Sequence, residues 1–126
     1  MSNSQAARQI VLDGLQEQIT TLVEADQIDT ADLFLQEYIK LAPEVIERFA
    51  LEALVRIGQD ELNSAISILN KGFAIHPNSF DLLFNLGFAY QLKGDVISAR
   101  NAYAQALELA KTQEEKDDLE QVLSAM

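Results

Sequence analysis

Apolar positions along this chain recur at helical spacing, and the recurrence itself repeats. Leu35 and Ile39 follow Ala31 by four and eight residues, Leu69 and Phe73 follow Ala65, and Tyr103 and Leu107 follow Ala99. An i, i+4, i+8 series lies along one face of an α-helix. Each set therefore predicts a buried stripe, with the small alanine where a neighbouring helix comes close. The three alanines stand 34 residues apart, so one helical unit is written three times, over 12–45, 46–79 and 80–113. A period of this length predicts stacked helix-turn-helix pairs.

Seven helices follow from the pattern. The first, 4–24, carries Leu12, Leu15, Ile19 and Leu22 on one face; the second, 30–41, is capped by Asp29 or Thr30. The third, 43–57, aligns Ile46, Phe49, Ala50, Ala53, Leu54 and Ile57, and Gly58 closes it. An Asp60 cap starts the fourth, which ends at His76 before Pro77. The fifth runs from Asn78 and Ser79 to Lys93, and Gly94-Asp95 supplies a turn and the next cap. The sixth spans 96–110. Thr112 and Glu115 form a capping box for a last helix, 113–125, bearing Leu119, Val122 and Leu123. Pro43 and Pro77 end the second and fourth helices, because proline lacks an N–H and disfavours helical backbone before it.

Composition narrows the picture. With two prolines and five glycines there is no flexible linker, so 1–126 reads as a single all-α domain with a C-terminal capping helix. No cysteine is present, which removes disulfides, thiolate catalysis and zinc-thiolate sites. The polar start and the lack of any long apolar run make a cytoplasmic location the expectation. The net charge of −11 is concentrated toward the two ends: acids exceed bases by five in 1–43 and by four in 112–126, but not at all in 80–111. Such a surface disfavours nucleic acid and anionic membrane, permits a basic or apolar protein partner, and helps keep stacked helices in solution.

The third unit resembles a tetratricopeptide repeat. Leu83, Leu86, Gly87 and Tyr90 on its first helix, Gly94-Asp95 at the turn, and Ala99, Tyr103 and Ala106 on its second stand at that family's core spacing. The middle unit keeps Phe49, Ala53, Ala65, Leu69 and Pro77, but has Glu52 and Arg56 where the third has Leu86 and Tyr90, and its glycine, Gly58, comes two residues early. The first keeps Leu15, Ala31, Leu35 and Pro43. The resemblance implies a short right-handed α-solenoid whose concave groove is lined by the first helix of each pair.

On the fifth helix a second apolar stripe, Phe84, Phe88 and Gln91, lies roughly 100 to 140 degrees from the core stripe. By the resemblance it faces the groove, as do Ala50 and Leu54 of the third helix. Left open, it is the kind of apolar patch that marks a binding site; the polar leader, 2–9, or the first helix is the alternative cover. Some members of the family clamp a partner's C-terminal carboxylate. The matching positions here are Gln16, Thr20, Leu51, Asp81 and Asn85, which carry no cation. Asp81 opposes a carboxylate, and Asn85 suits a hydrogen bond to an extended peptide or within its own helix.

Catalytic chemistry finds little support. His76, the single histidine, sits where an imidazole meets the last carbonyls of a helix. No Gly-rich phosphate loop or nucleophile–base pair is visible, and Asp26, Asp29 and Asp32 lack the glycine and final glutamate of a calcium loop. We expect no catalytic residue, cofactor or metal. The reading is a non-catalytic interaction module that takes a partner's peptide or helix at Ala50, Leu54, Asp81, Phe84, Asn85, Phe88 and Gln91. The alternatives are a self-associating protein, as a homodimer through the same stripe or the last helix, and a regulatory part of a larger enzyme.

Overall fold

The computed structural model describes residues 2–126, and these form helices and short turns with no strand. The helices are α1 (Asn3–Glu24), α2 (Ile28–Leu41), α3 (Glu47–Gly58), α4 (Leu62–Ile75), α5 (Phe80–Lys93), α6 (Val96–Leu109) and α7 (Gln113–Ala125). They fall into two compact units, the first ending at Glu61 and the second running Leu62–Met126.

In the first unit α1, α2 and α3 pack against one another in all three pairings. Ile19, Ala31, Leu35 and Val55 are wholly enclosed, and Tyr38 nearly so. Arg8 reaches across from α1 to donate to the Leu41 carbonyl at 2.9 Å and to the Glu44 carboxylate. The polar leader, 2–9, named as one alternative cover for the apolar stripe, forms the first turns of α1, closed by a capping box between Ser2 and Gln5.

In the second unit α5 packs on both α4 and α6, and α7 closes on α6. Ala65, Leu69, Ala99, Ala106 and Leu119 are fully buried. Ala31, Ala65 and Ala99 thus occupy the close-packed positions that their period predicts, each with no exposed surface.

Three helix starts depart from expectation. Neither Asp29 nor Thr30 caps α2; the helix begins at Ile28 behind Gln27, which makes no side-chain cap. Asp26, at φ 58°, turns the chain sooner, and Asp29 lies within the first turn, where the helix dipole favours an acid. α3 begins at Glu47 rather than Pro43. The carbonyls of Leu41 and Pro43 accept from the guanidinium groups of Arg8 and Arg48, while the Val45, Arg48 and Phe49 N–H groups bond, at 3.2–3.3 Å, to carbonyls three residues back.

Asp60 does not cap α4, nor does Gly58 end α3 with a left-handed turn. Asp60 itself takes the left-handed conformation, φ 62°, and Gly58 remains helical. Its missing side chain admits α2: a Cβ there would lie 2.7 Å from Ile28 Cδ1. The left-handed residues Asp26, Asp60 and Gly94 recur every 34 positions, so the turn keeps the repeat even where glycine is absent.

Candidate functional site

α5 is the best-defined helix of the second unit at both ends. The Ser79 hydroxyl accepts from the Leu82 N–H at 3.2 Å, and Gly94, at φ 87°, closes the last turn. Leu82, Leu83, Leu86, Gly87 and Ala89 turn inward. That burial fixes which residues must face outward.

The outward edge is aromatic. Phe80 and Phe84 stack with ring centroids 6.0 Å apart, and Phe84 meets Tyr103 of α6 edge-on at 5.6 Å. Tyr103 is 1% exposed and seated over Gly87, where a Cβ would fall 2.5 Å from its ring. Burial raises its hydroxyl pKa above the usual tyrosine value, and the hydroxyl donates to Gln91 Oε1 at 2.9 Å. Glycine at position 87 therefore lets a buried ring back the exposed one. Beyond Phe84 the helix presents Phe88, 45% exposed, and Leu92, 47% exposed, one turn apart.

The seven residues expected at the site occupy two sets. Asp81, Phe84, Asn85, Phe88 and Gln91 all lie on α5, whereas Ala50 and Leu54 are half-buried on α3 in the first unit. Within α5 their roles divide. Phe84 is half-buried and ties the edge to Tyr103, Gln91 is engaged by the same tyrosine, and Phe88 is open. Asn85 Nδ2 donates to the Asp81 carbonyl at 2.8 Å, which is the hydrogen bond within its own helix that its position allows. Leu92 belongs to the exposed stripe and was not among the expected residues. Its signal was its place four residues after Phe88.

Among the positions matching the carboxylate clamp, Leu51 is buried in the first unit. Gln16 and Thr20 line a shallow, open hollow on α1 with Asp13 and Glu17. The His76 N–H bonds the Gly72 carbonyl at 2.8 Å, closing the last turn of α4. Among the described residues no group of three or more His, Asp or Glu is arranged to hold a metal, and no helix is long and apolar enough to cross a membrane.

Residues 80–113, α5 with α6, match the family "Tetratricopeptide repeat". The sequence matches no curated protein. Solved structures share the fold at low identity. The Yersinia enterocolitica type III secretion translocator chaperone SycD superposes with a TM-score of 0.78 at 18% identity, over 91% of this chain and 89% of that one. PcrH, in complex with the chaperone binding region of PopB, gives 0.71 at 18%, over 99% and 96%. MamA gives 0.63 at 16%, over 90% and 74%. Residues 80–113 are a tetratricopeptide repeat, and the chain as a whole has the fold of tetratricopeptide-type helical proteins.

Proposed function

We propose that this protein is a non-catalytic interaction module that holds a segment of a partner protein against the outer face of α5. The observation that carries the reading is the stripe of the exposed Phe88 and Leu92 with the half-buried Phe84 beside them, on a helix whose other face is buried. At protein interfaces a few well-packed anchors, aromatic side chains prominent among them, carry most of the binding energy. Structures of like fold lend support: PcrH is described with the chaperone binding regions of PopB and PopD, and SycD with a peptide of the translocator YopD. Asp81, exposed two turns before Phe88, favours a basic residue beside the partner's apolar anchors.

The test is partner capture by the full chain, with cross-linked partners identified by mass spectrometry. Phe88→Glu with Leu92→Glu changes two exposed positions and should leave helicity unchanged while removing the captured species. Capture that persists in the folded double variant would refute the assignment. If the parent instead sediments as a dimer that the double variant dissociates, the occupant is a second copy of this chain.

A further inference from the structure

The two buried tyrosines of this chain differ at the hydroxyl. Tyr103 donates to Gln91, whereas the hydroxyl of Tyr38, a residue 3% exposed, has no hydrogen-bond partner among the described residues. A polar group this deep in a packed unit is normally paired, so one that is not calls for an explanation. Among the described residues Arg48 Nε is the sole fully enclosed side-chain nitrogen or oxygen without a partner, so the Tyr38 hydroxyl opens at the surface of the first unit. Position 38 is particular to that unit: one and two repeats later the same place holds Gly72 and Ala106.

The phenol, carried on α2, meets charge from two other helices. Burial, then the carboxylates of Glu47 on α3 and Asp13 on α1, raise its hydroxyl pKa above the usual tyrosine value, against an opposing pull from Arg8. Asp13 and Glu47 stand 34 residues apart, at one repeat position of two helices that pack together. A hollow of about 350 Å³ on α1 begins at Asp13 and adds the Glu17 carboxylate.

Neither acid beside the hydroxyl has a cation to neutralise it. The first unit holds four cationic side chains, and each is paired elsewhere: Arg8 with Glu44, Lys40 with Glu37 at 3.4 Å, Arg48 with Glu52 at 3.7 Å and Arg56 with Asp32 at 3.9 Å. Asp13 accepts a neutral bond, from Gln9 Nε2 at 2.8 Å, and Glu47 has no ion pair or side-chain hydrogen bond. Carboxylates only accept hydrogen bonds, and a hydroxyl oxygen can accept with them. The group that satisfies all three is a donor-rich cation. Guanidinium carries five N–H donors in a planar fork, whereas an ammonium offers three and is more strongly hydrated.

We propose that the first unit binds an arginine side chain of a partner segment, its guanidinium shared between the Asp13 and Glu47 carboxylates and the Tyr38 hydroxyl oxygen. The site is independent of the exposed stripe on α5, and its test does not involve that face. The probe is the blocked peptide acetyl-Ala-Arg-Ala-amide, titrated into the isotopically labelled full chain, with the uncharged citrulline peptide of the same shape as control. NMR signals of the Tyr38 ring and of the Asp13 and Glu47 carboxyl carbons should shift saturably with arginine and not with citrulline. Asp13→Asn with Glu47→Gln should abolish the shift at Tyr38. Tyr38→Phe removes a hydroxyl that has no internal partner, so it should leave helicity unchanged yet weaken peptide binding by at least about threefold. Four results would each overturn the proposal: no saturable shift at millimolar peptide, an equal response to citrulline, shifts of the same size at the Glu114 and Asp117 carboxyls of α7, or undiminished affinity in either folded variant.

Discussion

At the scale of single residues, the repeat is held by positions where a side chain must be small or a backbone left-handed. Ala31, Ala65 and Ala99 declare the first requirement in the sequence, and all three are fully enclosed. The second was partly hidden. Gly58 attracted the turn assignment because glycine is the usual left-handed residue, yet Asp60 bends the chain at the same register as Gly94. Aspartate tolerates that conformation at a cost, so its turn signal is weaker than glycine's. Asp60→Gly should therefore stabilise the protein by about 0.5–1 kcal/mol, the strain relieved less the extra chain entropy of glycine. A melting temperature at or below the parent's would contradict this. Gly87→Ala works in the other direction, because the added methyl drives into the Tyr103 ring. We expect a loss of about 1–3 kcal/mol in denaturant titration; an unchanged midpoint would show that the ring yields freely.

At the scale of helices, ends marked by Ser, Thr or Asp beside an apolar run were legible. Ser79, Asp95 and Thr112 each accept the expected backbone N–H. The starts of α2 and α3 were not, because they depend on Asp26 and on arginines reaching carbonyls from elsewhere in the chain. The caps also set an acid response. Hydrogen bonds from the Ser98 hydroxyl, then the Ser98 N–H, hold the Asp95 carboxyl below its usual pKa. The N–H groups of Lys111 and Thr112 do the same for Glu115. A lowered folded-state pKa means the stabilisation is complete above the ordinary carboxylate range, near about 4, and is lost as pH falls through the lowered values. Acid should thus loosen the ends of α6 and α7. Asp95→Asn with Glu115→Gln should give a stability curve flatter than the parent's below about pH 5. Parallel curves, followed by circular dichroism, would remove the caps from the account.

At the scale of the molecule, the period alone established an all-helical repeat, because stacking the same unit leaves few architectures for seven short amphipathic helices. The site was less legible. Periodicity separates the faces of α5 but does not reveal that Phe84 leans on Tyr103, that Gln91 is held by its hydroxyl, or that Leu92 extends the open stripe. Those facts depend on how α6 lies against α5. The central claim is that the outer face of α5 contacts the partner directly. A photo-reactive benzoylphenylalanine placed at Phe88 tests it, with one at Leu33, an exposed position on α2, as control. The account predicts that irradiation in the presence of captured partner yields a covalent adduct from position 88 and not from position 33. No adduct from position 88, or equal yield from both, would contradict it.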